Sequence, residues 1–158
     1  MFNCNKYKVI AFINLGMVLL ITGCNETKQA QCQRLIKAVN EGTSLIEKNK
    51  GSQVTLSLGL AKDLEDVSKK IENQNFRDPK LQDFKDQYAK HFDAKSKNIE
   101  FAGKALGSAK TAEVSSKGRD QVRQAKKDIE TSLKQVKYAA KESDTLANEL
   151  NEYCTQTE

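Results

Sequence analysis

The chain has 158 residues, with 26 Lys or Arg against 21 Asp or Glu, one His, one Pro and no Trp. This length is that of one ordinary domain, and the mild net charge of +5 does not by itself indicate a nucleic-acid-binding protein. With 30% charged residues, the composition is typical of a helical protein with well-solvated outer faces.

The start of the chain has the pattern of a bacterial lipoprotein signal. A basic stretch precedes an apolar run over residues 9–21, and the sequence ITGC at residues 21–24 closes the run. A signal peptide has such a basic start and short apolar segment, which is too short for a membrane-spanning anchor. We predict lipidation of Cys24 by acyl chains such as palmitate; the alternative is an ordinary secretory signal. The predicted organisation is a signal peptide, a lipidated tether and a helical bundle domain, over residues 1–23, 24–31 and 32–158.

The remaining cysteines predict a disulfide that joins the two ends of the domain. Cys4 would leave with the signal and Cys24 would carry lipid, so that Cys32 and Cys154 remain. Cysteines in an oxidising compartment usually pair, and two free thiols or an intermolecular bridge are the alternatives. Two isolated cysteines and a distant His91 do not make a zinc site, so we predict no metal.

Apolar residues spaced three or four apart predict two shorter helices in the first half of the chain. The first covers about residues 28–49 and the second about residues 53–75. Residues 54–58 alternate like a strand but have no partner strand, so we assign them to the first turns of the second helix. The two apolar stripes consist of Cys32, Leu35, Ile36, Val39 and Ile46, and of Leu60, Leu64, Val67 and Ile71.

Two longer helices follow and are predicted to meet at the turn-like stretch 115–118. Asp78 and Pro79 mark the start of the third helix, because Asp caps helices and Pro favours the first helical position. Lys95 alone breaks the apolar pattern of this helix. The third and fourth stripes consist of Leu81, Phe84, Tyr88, Lys95, Ile99, Ala102, Leu106 and Ala109, and of Val122, Ala125, Ile129, Val136, Ala140, Ala147, Leu150 and Cys154.

The helix lengths predict an all-α, up-down-up-down four-helix bundle, in which a short hairpin packs on a longer antiparallel helical hairpin. This topology brings both chain ends to one end of the bundle, as the disulfide also requires. Because the short hairpin leaves part of the long one uncovered, we expect residues 102–127 to project as a two-helix arm. Small residues such as Gly103 and Gly107 would let its helices approach closely; alternatively, these glycines kink the third helix.

The predicted arm is strongly basic. Seven cations stand against only Glu113 and Asp120 within residues 102–127, which leaves an excess of five positive charges. Charge runs on helices are usually solvated faces, but such a surface also attracts an anionic partner. The candidate partner-binding residues are Lys104, Lys110, Lys117, Arg119, Arg123, Lys126 and Lys127.

The sequence does not predict an enzyme. His91, beside Phe92 on a helix flank, has no nucleophile next to it, and no Ser or Cys has a plausible base. The glycines of segment 103–111 do not form a phosphate-binding loop, because the position before Lys110 is not Gly and no strand precedes the segment. We therefore predict no catalytic residues and no cofactor.

The chain resembles a group of small, uncharacterised helical lipoproteins of cyanobacteria. The resemblance rests on the lipobox, on the opening CQRLIKAVN at residues 32–40 and on the ending LNEYC at residues 150–154. It implies no known activity, but it implies export to a Gram-negative envelope or a thylakoid lumen. The chain is also similar, in anchor and helix count, to lipid-anchored four-helix-bundle subunits on the lumenal side of photosystem II.

These features predict an exported, membrane-anchored lipoprotein that faces the periplasm or thylakoid lumen. Its expected function is that of a non-enzymatic helical interaction module, which binds a protein or another anionic macromolecule but not nucleic acid. Two alternatives remain. A carrier or sensor for a lipid or pigment would need a cavity in the bundle core, and a chaperone-like holdase would need an exposed apolar groove.

Overall fold

The computed structural model describes residues 26–49 and 53–156, so the predicted signal and Cys24 lie outside the described residues. The described part contains four helices: α1 (Lys28–Lys48), α2 (Val54–Glu72), α3 (Pro79–Lys110) and α4 (Ser116–Thr155). They confirm the all-α prediction and the assignment of residues 54–58 to a helix. None of these helices is both long enough and apolar enough to cross a membrane.

Side chains that accept backbone hydrogen bonds begin three of the helices. Thr27 accepts from the N–H of Ala30 at the start of α1, and Ser115 accepts from the N–H of Gly118 at the start of α4. Asp78 accepts from two backbone N–H groups of the first turn of α3, and Pro79 takes the first helical position. The predicted start of α3 is therefore confirmed, for the predicted reason.

Helix α3 is the centre of the bundle. Helices α2 and α4 each pack along α3, whereas α2 and α4 do not touch each other. Helix α1 completes the core at the end that holds Cys32 and Cys154, which we call the base. The opposite end, where residues 111–115 join α3 to α4, is called the tip.

The base holds the hydrophobic core and the predicted disulfide. Cys32 and Cys154 are joined, with their Cα atoms 5.9 Å apart. The Tyr153 hydroxyl donates a 2.6 Å hydrogen bond to the Asp78 carboxylate, which ties the end of α4 to the start of α3. The largest of the fully buried side chains are Leu35, Leu64, Ile71, Leu81, Phe84, Tyr88, Phe92 and Leu150.

The predicted two-helix arm is shorter than expected, because α2 extends further along α3. A Cβ built on Gly103 would lie 3.1 Å from Ser57 and 3.2 Å from Leu58, and one on Gly107 would lie 3.6 Å from Val54. Gly103 therefore makes room for α2 rather than for α4. Only the part of the hairpin beyond Gly107 has no third helix beside it, and α3 runs through both glycines as one helix.

The predicted core stripe of α4 is only partly right. Val122 is 45% exposed, and Ile129 and Val136 are only half-buried. The face that packs on α3 is instead a stripe of mostly small residues, which lets the two helices approach closely. The buried residues of α4 are Gly118, Ala125, Ser132, Ala139, Leu146 and Leu150.

Candidate interaction surface

The seven predicted partner-binding residues all have exposed side chains and lie toward the tip. Three of them form ion pairs within their own helix: Lys104 with Glu100, Arg123 with Asp120 at 3.3 Å, and Lys126 with Glu130 at 3.9 Å. Exposed pairs of this kind contribute little to stability. They do lower the charge that these three side chains offer to a partner.

The other four cations keep their charge free for a partner. Lys110, Lys117, Arg119 and Lys127 have no carboxylate within 4.0 Å in the described part of the chain. The sequence analysis counted acids only within residues 102–127, so it missed the two partners, Glu100 and Glu130, that lie just outside this range. The free positive charge is therefore concentrated around the tip turn and the first turns of α4.

The structure does not bring all seven cations to one face. Lys104 lies beside α2, where it lines a cleft with Leu58 and Lys62. Arg119, Arg123 and Lys126 are spaced four and three residues apart, so they share one face of α4. The basic surface is thus a face of α4 joined to the tip turn, and Lys104 lies apart from it.

The tip turn is held by close backbone packing. A Cβ on Gly118 would lie 1.8 Å from the carbonyl oxygen of Glu113, so only glycine fits there. The Gln121 amide donates to the carbonyl oxygen of Ser108 at 2.8 Å and to its hydroxyl at 3.1 Å, which ties α4 to α3. The basic side chains therefore project from a fixed backbone rather than from a loose loop.

A buried lysine lies in the middle of the bundle, at the one position where the sequence showed a break in the apolar stripe. Lys95 is 5% exposed, donates a 2.8 Å hydrogen bond to the Ser143 hydroxyl and lies over the Phe92 ring. Burial lowers the pKa of Lys95. Burial also lowers the pKa of His91, one turn away, and the charge of Lys95 adds to this effect.

These groups do not form a recognisable catalytic arrangement. The ammonium of Lys95 is hydrogen-bonded to a serine of α4, and the hydroxyl of Tyr88 is buried with its pKa raised, mainly by that burial. Among the described residues, no group of three or more His, Cys, Asp or Glu could hold a metal ion. The predictions of no enzyme and no cofactor remain predictions.

A shallow cleft bears on the carrier alternative. Its volume is about 770 Å³, and it lies along the outer face of α1 rather than within the bundle core. Ile36, Leu45 and Val67 supply its apolar lining, and Lys37 and Glu41 lie at its polar positions. The carrier alternative assumed a site between the helices, and this cleft is not such a site.

Comparison with protein-family models, with curated proteins and with solved structures finds no match to this chain. The resemblance to cyanobacterial lipoproteins therefore rests on the sequence motifs alone.

Proposed function

We propose that this protein is a lipid-anchored, non-enzymatic module that binds an anionic macromolecule, most simply a protein, outside the cytoplasm. Three features support the proposal: the lipobox, the disulfide of the base and the basic surface near the tip. A disulfide is typical of exported proteins. The resemblance to cyanobacterial lipoproteins adds the periplasm or the thylakoid lumen as the proposed compartment.

The anchor and the basic surface occupy different parts of the chain. Cys24 precedes the first residue of α1, Lys28, by only four positions, so a lipid on Cys24 would attach close to the base. Helix α4, with 40 residues, extends about 60 Å from the tip to the base. Binding of a partner at the tip would therefore leave the anchor free to stay in the membrane.

The observation that carries the binding proposal is the unneutralised charge at the tip. Lys110, Lys117, Arg119 and Lys127 are exposed, lack ion-pair partners in the described part of the chain, and project from a backbone that Gly118 fixes. At physiological salt the Debye length is about 8 Å, so these charges act on groups that come into contact with the surface. An acidic face of a partner fits this requirement.

The anchor is tested by replacing Cys24 with serine. Cys24→Ser should move the protein from the membrane fraction to the soluble fraction of the envelope or lumen, because a chain without acyl groups has no stable attachment. Mass spectrometry of the wild-type N-terminal peptide should show the acyl groups. A processed Cys24→Ser chain that still sediments with membranes would contradict the anchor.

The basic surface is tested by a fourfold charge reversal. Replacing the four unpaired cations Lys110, Lys117, Arg119 and Lys127 with glutamate should abolish cross-linking of the protein to its partner in native membranes. Melting should change little, because solvated charges contribute little to stability.

A matched control reverses four exposed lysines far from the tip. Its members are Lys37, Lys48, Lys90 and Lys141. This variant has the same net charge as the test variant and should keep the partner. Equal recovery of the partner by both variants would show that the basic surface is only a solvated face.

A further inference from the structure

Helix α4 carries a second apolar stripe that the rest of the described chain leaves partly exposed. Val122 and Leu133 are 45% and 54% exposed, and Ile129 and Val136 are half-buried. With Lys126 between them, these residues are spaced alternately four and three apart, which is the spacing of a coiled-coil seam. We call this stripe the outer seam: Val122, Lys126, Ile129, Leu133 and Val136.

The described fold covers the outer seam only in part. The inner face of α4 packs on α3, and α2 does not reach α4. Helix α1 meets α4 through the disulfide at the base, far from Leu133. Partly exposed apolar stripes with this spacing are commonly used by helices to dock on another helix.

The charges beside the outer seam indicate which helix fits. Arg123, Glu130, Lys137 and Asp144 are all exposed, lie seven residues apart and therefore line the same edge of the seam. Their signs alternate along the helix. In a two-fold dimer, residue i contacts residue j and residue j contacts residue i, so a self-complementary pattern must pair opposite charges around one centre.

We propose that the outer seam binds a second copy of this chain, with the two α4 helices antiparallel. When Leu133 packs beside Val136 of the second copy, Glu130 faces Lys137 and Arg123 faces Asp144. Both pairs are centred on the same point of α4, next to Leu133. One two-fold axis therefore allows four ion pairs at once, which would compete with the pairs that Arg123 and Glu130 make within α4 with Asp120 and Lys126.

A parallel second copy fits less well. It would set Lys126 of one chain opposite Lys126 of the other within the seam, and it would place each flanking charge level with its own counterpart. In the antiparallel pair, Lys126 instead lies near Ser143 of the second copy. A single polar residue in an apolar seam is a known device for fixing register and orientation.

The proposal does not depend on the lipid or on the four unpaired cations Lys110, Lys117, Arg119 and Lys127. It shares Arg123 and Lys126 with the basic surface. Combined with an anchor at Cys24, it sets the two bases at opposite ends of the pair, so the paired α4 helices would lie along the membrane. The tip of each copy would then lie toward the base of the other. The surface charges at Lys110 and Lys117 stay outside the seam.

The first test removes the apolar centre of the seam. Two differently tagged copies of the full chain are co-expressed, and co-purification in detergent shows whether they associate. The strength of association is measured by sedimentation equilibrium in a buffer whose density matches that of the detergent. Leu133→Asp should abolish association. The matched control is Tyr138→Asp, because Tyr138 is 64% exposed on the same helix but lies outside the seam.

The second test reverses charges on the edge of the seam. Glu130→Lys alone and Lys137→Glu alone should each weaken association by roughly tenfold, because each change turns two attractive pairs into two repulsive ones. The double variant Glu130→Lys with Lys137→Glu should restore wild-type association. These surface changes also keep the proposal testable if Leu133→Asp does not fold.

Three results would overturn the proposal. The wild-type chain could be a monomer at every concentration, its association could be insensitive to Leu133→Asp, or the double charge variant could fail to restore what the single variants lose. Capture of unfolded clients by the seam of a monomeric chain would support a holdase instead.

Discussion

Reduction of the disulfide should remove a large part of the stability of this domain. Cys32 and Cys154 are 122 residues apart in sequence, so nearly the whole described domain lies within the closed loop. In the chain-entropy model, a loop of this length stabilises the folded state by about 5 kcal/mol at 25 °C. The free energy of unfolding of an ordinary domain is about 5–15 kcal/mol, so the reduced chain should be marginally stable or unfolded.

The measurement is urea denaturation of the oxidised and the reduced chain, followed by circular dichroism. Reduction should lower the midpoint and raise the m-value, because the unfolded chain without a cross-link exposes more surface. The variant Cys32→Ala with Cys154→Ala should behave like the reduced chain and should not respond to reductant. A loss below about 1 kcal/mol on reduction, well under the typical range for a native disulfide, would refute the argument.

Three further predictions concern the bundle itself. Gly42→Ala should lower the free energy of unfolding by about 1–3 kcal/mol, because the added Cβ would lie 2.4 Å from the Phe92 ring. The control is Gly59→Ala, whose Cβ would contact no other atom within 4 Å. It should be neutral or stabilising in the same denaturation assay. Burial lowers the pKa of Lys95 below the usual lysine value of 10.5. The unfolded chain therefore keeps this proton to higher pH, and the stability should rise with pH between the folded and the unfolded pKa. Lys95→Met should abolish that rise in thermal melts at alkaline pH. Burial alone would raise the pKa of Asp78, but hydrogen bonds from a tyrosine hydroxyl and two backbone N–H groups outweigh burial and lower this pKa below 3.8. The stability that the charged carboxylate contributes above that value should therefore be lost as the pH falls through the folded pKa. Asp78→Asn should reduce this loss in thermal melts between about pH 2 and pH 5.

The sequence predicted the elements of this fold well, because their signals are local. Asp78 and Pro79 start α3 as a cap and a first-turn proline do in general, and the spacing of apolar residues predicts all four helices. The disulfide followed from the predicted compartment and from the topology together. These predictions require only the residues next to each other in the sequence, or the number of antiparallel helices in the bundle.

The predictions from the sequence were wrong where a buried face depends on the rotation of a helix about its axis or on its position along the neighbouring helix. It chose the stripe of larger residues, including Val122 and Val136, as the core face of α4. The structure leaves these two valines partly exposed and instead buries Gly118, Ser132 and Ala139, beside the predicted Ala125. Large side chains would not fit there, since α4 lies close to α3. The extent of α2 along α3, at Gly103, was missed for the same reason.

For the candidate surface, the sequence predicted the local excess of cations but not their arrangement on the helix faces. The local excess of cations toward the tip is a property of the sequence, and all seven side chains are exposed. The division of the set was not predictable, because it depends on which face each helix presents. Lys104 lies beside α2 and pairs with Glu100, whereas Arg119 and Lys126 share a face of α4.

Helix α4 has two apolar faces that differ in the size of their side chains. From Gly118 to Ala139 its inner face carries small residues at every seventh position, which favours a close contact with α3 but buries little apolar area for each residue. Large side chains are buried on α4 only nearer the base, at Leu146 and Leu150. Its larger residues, Ile129, Leu133 and Val136, lie on the neighbouring face, where burial by the rest of this chain is incomplete. A helix that had only to complete a four-helix bundle would put its largest apolar side chains toward the core. The reverse distribution over residues 118–139 is the one expected if the proposed second copy covers the outer seam.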